Sequence, residues 1–162
     1  MKRLVVVLIL LTVVLMSGCA DAGRRDKDHK KAAAQGPAVT LGIERLGEYA
    51  QLFAGKRVGL ITNQTGVDSK LRSSEDILLE QTDLTGIFVP EHGLFGAIAA
   101  GDDVEGAEYK GVKVYSLYGA TKRPTPAMLD TIDVMTVDIQ DVGARHYTYI
   151  STMAYAMEEC AK

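Results

Sequence analysis

Four short apolar runs, separated by segments of helical character, constrain this chain more than any other feature. They are Lys56 to Thr62, Leu84 to Val89, Val112 to Leu117 and Ile132 to Ile139. Each is nearly continuous in apolar residues rather than alternating, so both of its faces are expected to be buried. Strands of that kind belong to parallel sheets, whose crossovers lay helices on both faces. Helical segments stand where such crossovers are needed. One covers Ile43 to Phe53, before the first run. The next starts near Ser73 or Ser74 and is clearest over Ile77 to Gln81. Ser73 or Ser74 caps it, and Glu75 and Asp76 suit its positive first turn. Pro126 to Asp130 is a short helix opened by proline. Ile150 to Ala161 carries Met153, Ala154, Met157 and Cys160 near helical spacing, which predicts Cys160 as a buried small hydrophobe. The expected fold is α/β: a Rossmann-like, mostly parallel sheet with helices on both faces.

In an open parallel sheet the carboxyl ends of the strands share one rim, and ligands bind in the crevice there. Polar residues gather at those ends. Asn63 and Gln64 follow the first run, in the loop Asn63-Gln64-Thr65-Gly66. Glu91 and His92 follow the second, stopped by Pro90. Tyr118 and Gly119 follow the third. Asp138, Gln140 and Asp141 end the fourth, with Arg145, Tyr147 and Tyr149 next. Carboxylates from different strands can divide the labour of glycoside hydrolysis, one protonated and one charged. Asn, Gln and Arg suit sugar hydroxyls and a carboxylate substituent. With no tryptophan in the chain, sugar stacking falls to Tyr or Phe. Plainer roles stay open. Asp138 and Asp141 also suit loop capping. Glu91 also fits a solvated loop, and Arg145 an ion pair with Asp141. Tyr147 and Tyr149 alternate, so one of them is expected to face the core. Gly86, Gly93 and Gly96 do not form the G-x-G-x-x-G spacing of a dinucleotide site. Only three histidines occur, and none has a partner at ligand spacing, so neither a metal nor a cofactor is expected.

The N-terminus carries a different signal. Lys2 and Arg3 precede an apolar run from Leu4 to Leu15, interrupted only by Thr12. That is too short for a spanning helix, which needs about 20 residues, and it has the form of a signal-peptide core. Met16-Ser17-Gly18-Cys19 follows and resembles a lipobox, so residues 1–19 read as a lipoprotein signal with Cys19 as the acylation site. Residues 20–38 mix basic and acidic residues, His29 among them, without apolar periodicity. They read as a flexible charged tether. Residues 39–162 then form the folded part. The net charge is −3, and loss of Lys2 and Arg3 makes it more negative, which argues against a nucleic-acid partner. With Cys19 acylated, Cys160 has no disulfide partner.

Three stretches also resemble a known family. They are Gly59-Leu60-Ile61-Thr62-Asn63-Gln64-Thr65-Gly66, Pro90-Glu91-His92-Gly93-Leu94-Phe95-Gly96, and the run from Asp138 to Ile150, DIQDVGARHYTYI. Together with Leu117-Tyr118-Gly119 and Asp133 they resemble the NamZ family of exo-β-N-acetylmuramidases, from about Val39 onward. The resemblance implies a Rossmann-like N-terminal domain, a smaller C-terminal α/β domain beyond Lys162, and an active site in the cleft between them. It implies removal of terminal N-acetylmuramic acid from peptidoglycan fragments. By that likeness Glu91 is the catalytic acid and Tyr147 supports the transition state. Asn63, Gln64, His92, Asp138, Asp141 and Arg145 hold substrate or orient Glu91, with Arg145 suited to the lactyl carboxylate. His146 stands where an aromatic or apolar residue is expected. The other functions in view are a wall-sugar-binding lipoprotein without turnover, and an inactive fragment. Anchored through Cys19, the protein would meet wall saccharides in the cell envelope. Ala20 after the cysteine favours an outer-membrane position facing the periplasm where such a membrane exists.

Overall fold

The computed structural model describes residues 39–96 and 107–162. The signal segment, Cys19 and the tether lie outside the described residues. The four apolar runs form four parallel strands: β1 (Arg57–Thr62), β2 (Asp83–Val89), β4 (Val112–Ser116) and β5 (Val134–Asp138). A two-residue strand, β3 (Glu108–Tyr109), adds an antiparallel edge. The order is β3-β4-β2-β1-β5. The chain therefore builds outward from β1 through β2 to β4, then returns to the other side of β1. That reversal between β1 and β5 is the topological switch of a Rossmann-like sheet.

Alternate residues of the central strands feed two separate apolar layers. Val58 and Leu60 of β1, Ile87 and Val89 of β2, and Val112 and Val114 of β4 share one layer. It is covered by Ile43 and Leu46 from Gly42–Tyr49, by Phe53 of α1 (Ala50–Phe53), and by Ile77, Leu78 and Leu79 of α2 (Ser74–Gln81). Ile61, Phe88, Tyr115 and Leu117 belong to the other layer. Met128 and Leu129 of α3 (Pro126–Leu129) and Ala156 of α4 (Tyr149–Cys160) cover it. Helices thus lie on both faces, as the continuous apolar strands require. Gly59 and Gly86 pair across β1 and β2. A Cβ on Gly59 would come within 2.8 Å of Ile132 Cδ1 and 3.0 Å of Phe88 Cε2. The bare backbone there leaves room for the Phe88 ring, which stacks on Tyr115 at 5.1 Å.

Local chemistry sets the element ends. The Ser73 hydroxyl accepts from Asp76 N at 3.4 Å and caps α2, and the Thr125 hydroxyl caps α3 ahead of Pro126. Tyr109 to Val112 is a hairpin whose central residues, Lys110 and Gly111, have φ of 49° and 85°. Two positive φ values mark a type I′ turn, the form that matches strand twist. Gly42–Tyr49 winds as a 3-10 helix rather than α. Gly42 and Gly47 weaken its α-helical preference. Glu44 instead bonds outward, accepting from Leu41 N at 2.8 Å and Ser69 N at 3.1 Å.

One expectation fails in α4. Cys160 is exposed, not buried. The helix buries Thr152 and Ala156, four residues apart. Its inward stripe lies one position to the side of Met153, Met157 and Cys160, and Met157 is 63% exposed.

Candidate active site

Pro90 ends β2, because a residue without an N–H cannot extend the ladder. The chain then turns sharply: Gly93 N donates to Pro90 O at 3.1 Å. His92 takes φ +74° within this turn, a left-handed conformation few non-glycine residues adopt. Leu94 is buried and pins the turn to the first apolar layer. Half-buried Glu91 is thereby held at the rim.

The segment after β5 supplies the opposite wall. Glu91 and His92 line a cavity of about 370 Å³ together with His146, Tyr147, Thr148 and Tyr149. Tyr147 is 47% exposed and sits 6.3 Å from the Tyr149 ring, so neither tyrosine is a core residue. Thr148 Oγ1 donates to Glu91 Oε2 at 3.0 Å. From beyond β4, Tyr118 comes near enough for the Glu91 carboxylate to hold its phenol above the ordinary ionisation range. Among the described residues lining the cavity, Glu91 is the sole carboxylate, and no lysine or arginine lines it.

The other expected site residues lie elsewhere on the same rim. Asn63 is buried, and its Oδ1 accepts from Thr65 N at 3.0 Å and Thr65 Oγ1 at 2.6 Å. Thr65 Oγ1 in turn accepts from Gln140 N at 2.9 Å. The Asp138 carboxylate accepts from the Ser74 hydroxyl, and its backbone oxygen accepts from Thr62 Oγ1 at 2.8 Å. These bonds knot the ends of β1 and β5 to the start of α2 at the topological switch. Gln64 is exposed, with its amide lying over Gly96: a Cβ there would come within 2.7 Å of it. Asp141 is exposed and closes a turn onto Gly143 N at 2.7 Å, the local capping that Asp favours. Arg145 is exposed and forms no ion pair with Asp141. Asp133 lies at the opposite, amino end of the sheet, clamped to Arg57.

The structure therefore brings Glu91, His92 and Tyr147 into one cavity and leaves Asn63, Gln64, Asp138, Asp141 and Arg145 outside its lining. It adds His146, Thr148 and Tyr149, with Tyr118 near Glu91. Tyr118 stood at a strand end in the sequence. Nothing in the spacing pointed to Thr148.

Comparison with known proteins meets this geometry. The family model Exo-beta-N-acetylmuramidase NamZ, N-terminal, matches residues 58–162. The peptidoglycan beta-N-acetylmuramidase NamZ of Bacillus subtilis (strain 168) is 52% identical over 153 residues, which cover 91% of this chain and 37% of that protein. Two crystal structures of DUF1343 family proteins from Bacteroides fragilis NCTC 9343 are also similar. One is 49% identical with a TM-score of 0.66, covering 78% of this chain and 34% of the other. The second is 35% identical with a TM-score of 0.61, covering 77% and 32%. The chain spans about a third of the length of the relatives it matches.

Proposed function

This chain belongs to the exo-β-N-acetylmuramidase NamZ family, and from that premise we propose that it hydrolyses the β-glycosidic bond of N-acetylmuramic acid at the non-reducing end of peptidoglycan fragments. The observation that carries the reading is the placement of Glu91. It is the sole carboxylate among the described residues lining a cavity at the carboxyl rim of a parallel sheet, where such folds bind ligands. In this role Glu91 protonates the leaving oxygen as the glycosidic bond breaks. Tyr147, part-exposed in the same wall, offers a ring face and a hydroxyl to the sugar. His92 and His146 flank the acid. Arg145 directly precedes His146 and is not tied to Asp141, so its guanidinium suits the lactyl carboxylate of muramic acid. No step calls for a metal or a cofactor.

The test uses the full-length protein and a β-muramoside that releases a chromophore. Glu91→Gln keeps the shape and removes the proton. Turnover is expected to fall about 10²–10⁴-fold, the span ordinary for loss of general acid catalysis. Wild-type turnover by that variant would remove Glu91 from the mechanism.

The N-terminal segment supports a location to match. The charged start, the apolar run from Leu4 to Leu15 and Cys19 fit export and acylation at Cys19, which would tether the domain to the cell envelope near wall saccharides. Feeding cells an alkyne-tagged fatty acid is expected to label the protein, and Cys19→Ser to abolish the label. Equal labelling of both forms sinks the anchor.

A further inference from the structure

We infer that Thr148 is a positioning residue that clamps the Glu91 carboxylate from across the rim, an inference that rests on Glu91 being the acid of the proposed reaction. Thr148 is the residue from which α4 starts. A threonine there ordinarily holds an extended backbone and accepts a hydrogen bond from an N–H of the first turn. Thr148 does neither. Its φ and ψ are −91° and −6°, and its side chain makes no capping bond. Its hydroxyl is turned instead to Glu91 Oε2, 57 residues away in sequence. The carboxylate and its hydroxyl partner therefore come from opposite walls of the cavity, the turn after β2 and the segment between β5 and α4.

The chemistry of the clamp matters as much as its geometry. The titratable groups around Glu91 are His92 on its own turn, His146 and Tyr147 on the segment before α4, Tyr149 at the head of α4, and Tyr118 beyond β4. A lysine or arginine in contact would favour only the ionised carboxylate, whereas a hydroxyl both donates and accepts. The Thr148 hydroxyl can donate to the carboxylate and, after rotation of its O–H bond, accept from the carboxylic acid. It holds one side-chain geometry through both protonation states. An acid that must give up a proton and regain it each cycle needs that property.

The experiment takes the full-length protein and compares Thr148→Val and Thr148→Ser with wild type and Glu91→Gln. Thr148→Val removes the hydroxyl with little change of shape. It is expected to lower kcat about tenfold, as loss of one hydrogen bond to a charged group does, with KM near wild type. Thr148→Ser restores the hydroxyl and is expected to restore kcat. A Thr148→Ser variant as slow as Thr148→Val, or unchanged kcat in Thr148→Val, overturns the clamp. Should Glu91→Gln keep full turnover, the catalytic reading fails, and hydrogen exchange of α4 amides, expected to be faster in Thr148→Val than in Thr148→Ser, still decides whether Thr148 and Glu91 are paired.

Discussion

Asp133 accepts from the Arg57 backbone N at 2.9 Å, from Arg57 Nε at 3.1 Å and from Arg57 Nη2 at 2.8 Å. The side-chain bonds from Arg57, then its backbone N–H, hold the Asp133 carboxyl down at about 2. An unfolded aspartate titrates at about 3.9. The folded value is the lower one, so the clamp contributes stability that is fully present above the unfolded value and is lost as pH falls through about 2. Both side chains are more than 40% exposed, so solvent and salt screen the pair and its contribution is small. Thermal unfolding of Asp133→Asn is expected to lie below wild type near neutral pH, with the gap closing as the pH drops from about 4. A gap that persists unchanged in strong acid would mean that ionisation is not what the pair contributes. The candidate site shows how single residues are and are not legible. Glu91 and His92 stood out because they directly follow an apolar strand. Thr148 did not, because a threonine ahead of a helix reads as a cap, and only the fold reveals that its hydroxyl has gone to a glutamate 57 residues earlier. Asp138 and Asn63 stood at the right rim, but rim position does not say which way a side chain bonds. Both turn into the knot at the topological switch.

At the scale of elements, the strands were legible because burial on both faces leaves an almost uninterrupted apolar signature. β1 is buried at every position after Arg57, and β2 over its last four residues. β5 is the instructive partial case. Its run Ile132 to Ile139 reads as strongly apolar, yet the strand is half-exposed along most of its length, because in the described sheet it pairs on one side only. β3 escaped the sequence altogether. It has two residues and owes its existence to the Lys110-Gly111 turn, where lysine rather than asparagine takes the left-handed position. The helices were legible in place but not in facing. α4 shows why: apolar residues at near-helical spacing mark a stripe, but a helix docks by the stripe that fits. Small Thr152 and Ala156 let its backbone approach the second layer, where methionines would hold it off.

The whole molecule joins a fully buried centre to a thinly covered flank, and the candidate site straddles the seam. Val58, Leu60 and Ile61 of β1 and Ile87, Phe88 and Val89 of β2 are wholly excluded from solvent. Across β5, Val137 is 41% exposed, and a groove of about 660 Å³ opens between Met135, Val137, Met153 and Met157. Segments with fewer buried apolar contacts open at lower free energy than the core. Native-state hydrogen exchange under rising denaturant is therefore expected to separate two groups. Amides of β1 and β2 should exchange only through global unfolding, with a steep denaturant dependence. Amides of β5 and α4 should exchange earlier, through a smaller opening with a shallower dependence. Merged behaviour, with β5 as protected as β2, would show that the flank is no weaker than the centre. The distinction bears on function because Glu91 hangs from β2, whereas Tyr147 and Thr148 hang from the segment joining β5 to α4. Opening that flank would carry one wall of the cavity away while leaving Glu91 in place. The Thr148–Glu91 hydrogen bond spans the seam, so Thr148→Val is expected to speed exchange in α4 and leave β1 unchanged.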